Sequence, residues 1–228
     1  MSVTRILTVS LVLAAVVFGA AFMAPDVVAV YAVQSYDALL HAPGVSVARN
    51  DAAGAWVLTS PGVETFTFGG GTAAGSNELV VSFDARPFLA AGLNASLLPA
   101  GAQVEGDGAS ARIVMRYDKG TGSFSAGAES QPLQALQDLV HNHRMMLGYH
   151  AALGHFGLAL GGGNMVEWAK DQQANDKDLV FVLNPQPFAD AGVDVANVQG
   201  WVLADVPVMD AQGRTSTARK LLKFYNLV

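Results

Sequence analysis

The chain has 228 residues, 51% of them apolar, with 13 basic against 19 acidic side chains and a formal net charge of −6. Nucleic acid and anionic lipid are bound through basic surfaces, so neither is an expected partner. Cysteine is absent, which excludes disulfides, thiolate nucleophiles and Cys-ligated zinc and leaves stability to hydrophobic cores.

Arg5 precedes an uncharged run from Ile6 to Pro25 that is too apolar to face water and has no amphipathic period. A secretory signal needs a basic start, an apolar stretch and a small-residue cleavage site; a spanning helix needs about 20 apolar residues. Val30-Tyr31-Ala32 places small residues at the two positions a signal peptidase reads. Residues 1–32 are therefore expected to be a signal peptide cut after Ala32, with a retained membrane anchor over residues 6–25 as the alternative. In either case the rest of the chain is exported, to the cell surface, the periplasm or the medium, and meets a membrane only through this segment if it is not cleaved.

The body of the chain reads as an α+β tandem duplication. ELVVSFDARPFLAAGL (78–93) matches DLVFVLNPQPFADAGV (178–193), SYDALLHAPGVSV (35–47) is laid on GYHAALGHFGLAL (148–160), and ARIVMRY (111–117) resembles ARKLLKF (218–224). Each unit, of about 80 residues, is near the lower limit for folding alone, so the two are expected to share an interface. Unit one occupies 33–120, a Gly/Ser linker 121–131, and a long helix with unit two 132–228.

Within a unit the expected order is helix, β-hairpin, strand, short helix, strands. In unit one, GVSVARNDAAGAWVLTS forms a hairpin around Asn50 to Gly54, and a strand over 79–83 leads into Pro-Phe-x-x-Ala-Gly. There Asp84 caps the short helix and Gly92 ends it in the left-handed conformation. A strand follows over 111–117. In unit two, Leu133, Leu136, Val140, His143, Leu147 and His150 recur at spacings of three and four, which predicts a long helix at about 132–154. GLALGGGNMVEWAK turns at Gly161 to Asn164, and then come a strand over 179–183, a second short helix with Asn184 and Gly192, and strands over 201–208 and 217–225.

A duplicated chain carries its own control: residues held in both copies serve the shared backbone, and unshared residues are free for chemistry. Phe88 and Phe188 read as core anchors. The histidines behave otherwise, because in this alignment His150 faces Asp37 and His155 faces Ala42. His141, His143, His150 and His155 cluster with Met145 and Met146, and imidazole with thioether suits copper, imidazole alone zinc. Along a helix, His143 and His150 stand about 10 Å apart, too far to share an ion. A metal site built on His150, His155, His143 and Met146 therefore needs a fold-back past Gly154 or a carboxylate such as Glu167 or Asp171.

Trp56 and Trp168 fall near matched places and, with His143 and His150, are the candidate lining of a ligand pocket, although buried indoles equally serve as core. GGGTAA (69–74) matches the spacing of a dinucleotide fingerprint but runs into a strand instead of a helix, so it reads as a loop. No GxSxG elbow, HExxH, phosphate-binding loop or EF-hand is present. The function expected is a non-catalytic exported module that binds a protein or small-molecule partner. The alternative is a copper- or zinc-binding protein, or a metal-dependent enzyme, using the His-rich stretch 141–155.

Overall fold

A computed structural model describes residues 25–42, 44–50, 55–59, 65–69, 78–118, 132–142, 147–150, 155–169, 179–209 and 214–225. The apolar run before Pro25, GGGTAA beyond Gly69, the 121–131 linker, His143, Met145, Met146, Gly154 and Asp171 lie outside the described residues.

Helix α1 (Pro25–Leu40) opens the fold and leads into β1 (Ser46–Asn50), β2 (Ala55–Thr59), β3 (Thr65–Gly69) and β4 (Glu78–Asp84). The short helix α2 (Arg86–Ala90) follows, then β5 (Ala102–Glu105) and β6 (Arg112–Asp118). Helix α3 (Pro132–Asn142) begins the second half, with β7 (Leu147–His150), β8 (His155–Gly161), β9 (Asn164–Ala169) and β10 (Leu179–Leu183). Helix α4 (Gln186–Asp190), β11 (Val202–Met209) and β12 (Thr215–Tyr225) complete it. The molecule is α+β, with two six-stranded sheets in the orders β1-β2-β3-β4-β6-β5 and β7-β8-β9-β10-β12-β11. Each half thus runs helix, four-stranded meander, short helix, and a closing strand pair whose last member lies beside the fourth strand.

The ladders align the halves row by row. In the first sheet one row reads Arg49, Trp56, Phe68, Leu79, Tyr117. In the second the corresponding row reads Tyr149, Phe156, Trp168, Leu179, Tyr225.

Three expectations are corrected by these rows. The helix expected at 132–154 is described over Pro132–Asn142, and Leu147–His150 is a strand paired with β8 and not part of that helix. The residues Leu147 to His150 fit a 3.6-residue stripe and a two-residue alternation alike, and the pairing with β8 decides for the strand. The match of 35–47 to 148–160 fails because residues 35–40 are helical while 148–150 are extended. His150 and His155 instead hold the ladder places of Asn50 and Ala55. The match of 111–117 to 218–224 is one residue out: Leu79 pairs with Tyr117 and Leu179 with Tyr225, so Ile113 corresponds to Leu221. A one-residue slip exchanges the two faces of a strand, and both Ile113 and Leu221 are buried in the main core.

That core is continuous across the halves, joining Leu79, Phe83 and Phe88 to Phe181, Phe188 and Leu221. At its centre the rings of Phe88 and Phe188 lie 4.9 Å apart, with Trp201 edge-on to Phe88 at 5.3 Å and to Phe83 at 5.1 Å. Such pairs each contribute about 0.5–1.5 kcal/mol beyond the area they bury. The two Pro-Phe-x-x-Ala-Gly segments meet here reciprocally. Asn94 N–H donates to the Ala191 carbonyl and Asp194 N–H to the Ala91 carbonyl, both at 2.8 Å. Gly92 and Gly192 take φ of +101° and +89°, and a β-carbon on either would sit 2.9 or 3.1 Å from the other's carbonyl oxygen. Both glycines therefore end a helix, as expected, and in addition admit the opposite backbone.

Candidate functional site

Strands β8 and β9 form a hairpin whose loop is Gly162-Gly163, at φ of +60° and +80°. Two successive positive φ values are what a two-residue I′-type turn needs, and glycine supplies them without strain. Asn164, buried just after the loop, joins the halves: its amide donates to the Tyr117 hydroxyl at 2.8 Å, and its oxygen accepts from Asn184 N–H at 2.7 Å. Asn184 returns a bond to the Gly162 carbonyl at 3.1 Å. Burial pushes the Tyr117 hydroxyl up to about 12, the bond from Asn164 opposing this, so it stays protonated and structural. Lys220 donates to the Gly163 carbonyl at 2.5 Å, and burial lowers its ammonium below the usual lysine range.

Farther along β9 stands Glu167, with 0% of its surface exposed. Residues alternate faces along a strand; Val166 and Trp168 join the main core, and Glu167 lies on the opposite face with Met165, beside the smaller cluster of Val180, Val182, Val206 and Leu222. Its ladder neighbours are Gly157 on β8 and Val180 on β10. Gly157 makes the room: a β-carbon there would come within 2.7 Å of Met165 Cε and 3.3 Å of Glu167 Cγ.

Two residues from Gly157, and hence on the same face, His155 is 5% exposed and places Nδ1 at 3.8 Å from Glu167 Oε2. His155 Nδ1 makes no hydrogen bond among the described residues. Burying a carboxylate and an imidazole together costs several kcal/mol unless each is compensated, so this is a positioned pair and not a chance surface contact. His150 is the register partner of His155 across the β7–β8 ladder.

Of the sequence-derived site residues, the fold brings His150 and His155 to one ladder step and sets Glu167 against His155. His143 and Met146 lie outside the described residues. Among the described residues no three His, Asp or Glu side chains gather as metal ligands. The tryptophans hold the same row but opposite strands: Trp56 opposes Phe68, whereas Phe156 opposes Trp168. Trp168 is 1% exposed, with its indole N–H bonded to the Ala32 carbonyl at 3.2 Å and Tyr36 edge-on at 5.6 Å. Trp56 is half-buried under the Arg49 guanidinium at 5.8 Å.

In the sequence Glu167 stands out only as a carboxylate that could be brought from elsewhere, and Gly157 only as the end of a break from Gly154, whereas it lies within strand β8. Alternation puts Glu167 on the face opposite Val166 and Trp168, where a polar side chain is ordinary, so its burial carries no signal in the sequence. Comparison with protein-family models, curated proteins and solved structures finds no match.

Proposed function

We propose that the chain is an exported, non-catalytic binding module, a tandem duplication of one α+β unit whose two copies pack about a local two-fold axis. The reciprocal contact of Gly92 with Gly192 carries this reading, since residue i meeting j′ while j meets i′ is the signature of a two-fold interface. The common strand order of the two sheets supports it further. If one backbone was copied, binding chemistry resides in side chains that differ at matched places. His155, Gly157 and Glu167 stand where the first half has Ala55, Val57 and Thr67, and all three adjoin one another on β8 and β9. We place the ligand site of the module there.

A metal-binding reading is favoured by one observation, the approach of His155 Nδ1 to Glu167 Oε2 beside the ladder place of His150. Imidazole and carboxylate are ordinary zinc donors, and imidazole also suits copper. One experiment separates the readings. Protein purified without an affinity tag is assayed for bound metal and titrated with zinc and with copper, alongside H155A and E167Q. Close to one equivalent bound by the native chain and lost in both variants supports the metal. No metal, but a thermal shift with a partner or small molecule that H155A abolishes, supports the module in its general form. Ligand or partner binding that neither variant alters would remove the site from β8 and β9.

A further inference from the structure

We infer that Val30-Tyr31-Ala32 is not a processing site and that the apolar segment before Pro25 stays on the chain as a lipid-embedded anchor. This is independent of what the module binds. Helix α1 is one 16-residue helix from Pro25 to Leu40, and Ala32 lies at its middle. Ala32, Ser35, Tyr36 and Leu39 are 1%, 2%, 1% and 3% exposed. Their spacing of three and four makes them a single stripe, and the helix they belong to packs on β7, β9 and α3. The Ala32 carbonyl accepts the Trp168 indole N–H, and the Tyr36 ring stands edge-on to the same indole.

A cut after Ala32 would remove the first half of α1 and take away the acceptor of a buried indole N–H. It would also set the charged α-amino group of Val33 beside the core. What remained of α1 would be too short to hold itself helical without its packing. The fold is therefore that of a chain uncut at this point.

The preceding residues favour retention over an upstream cut. A signal peptide uses about 7–15 apolar residues, whereas the uncharged run from Ile6 to Pro25 has the length of about 20 residues that crosses a bilayer. Arg5 then remains on the cytoplasmic side, as basic flanking residues do.

The test is made on the full chain, expressed from its own initiator methionine in a secretion-competent host and followed by fractionation and intact mass. The expected result is protein in the membrane fraction, resistant to high salt and alkaline carbonate and released by detergent. Its mass should be that of the 228-residue chain, with or without Met1. An N-terminus at Val33 would overturn the inference outright. So would any other new N-terminus within or after the apolar run, with the protein recovered in the soluble exported fraction.

Discussion

Gly92 and Gly192 show how one residue type serves two constraints at once. Each holds a positive φ at the end of a short helix, and each lets the other's carbonyl approach closely, at Gly92 to a distance β-carbons essentially never show and at Gly192 to one that needs the neighbour to shift. Gly108 separates the two effects, because it has φ of +51° but nothing within 4 Å of the place a β-carbon would take. Replacing Gly108 by alanine should cost about 1 kcal/mol, the ordinary left-handed penalty. Gly92→Ala should cost about 3 kcal/mol, since a backbone oxygen 2.9 Å away must move and the Asn94 and Asp194 hydrogen bonds move with it. Gly192→Ala, at 3.1 Å, falls between. Urea denaturation of the three variants checks the order; equal losses would mean that the close approach is not what these glycines serve.

Helices α2 and α4 allow a test of a single element, because the residue before each N-cap, Asp84 or Asn184, bonds differently in the two halves. Asp84 Oδ1 accepts from Arg86 N–H at 2.9 Å, and Asn184 Oδ1 accepts from Gln186 N–H at 3.1 Å. Only Asp84 adds an ion pair: the bonded Arg86 guanidinium lowers its carboxyl below the usual range. A lowered carboxyl pKa contributes stability that is present above the unfolded value of about 3.9 and lost as pH falls through the folded value. The D84N variant keeps an oxygen that can accept from Arg86 N–H and lacks the pair. Its melting temperature should lie below that of the native chain at neutral pH, and the gap should close as the pH falls below the unfolded value and through the lowered folded one, as the carboxylate takes up its proton; a gap that stays constant on acidification would show that the pair contributes nothing. Turns and short helices were legible in the sequence because Asn, Pro and Gly act locally, whereas the expected caps Asp84 and Asn184 stand one residue before the N-cap places, Ala85 and Pro185. The end of α3 and the register of β6 against β12 were not. The run Leu147 to His150 fits a helical stripe and a two-residue alternation alike, and only pairing across β7–β8 decides between them, while the register of β6 and β12 is set by their pairing with β4 and β10. The His155–Glu167 contact was half legible: both residues stood out as possible ligands, but Gly157, which admits the carboxylate, has a role visible only once β8 lies beside β9.

At the scale of the whole molecule, the question is whether two similar sheets make two folding units or one. The main core answers through its composition, since Phe83 and Phe88 pack against Phe188 and Trp201, and Asn164 bonds Tyr117 across the halves. Neither half can close its apolar face alone, and a unit of about 80 residues has little core to spare. Unfolding should therefore be one cooperative step, with far-UV circular dichroism and tryptophan fluorescence tracing the same curve. Trp56 in the first sheet and Trp168 in the second make fluorescence sensitive to both halves. A fragment spanning 25–118 should fail to give a cooperative transition, because Phe83, Phe88 and Leu93 would face water where Phe188 and Trp201 now stand. Two separated transitions in the intact chain, or a fragment that melts sharply by itself, would show that the shared aromatic core is a docking contact between independent domains. In that case substitutions at Gly92 would loosen the contact without lowering the stability of either half.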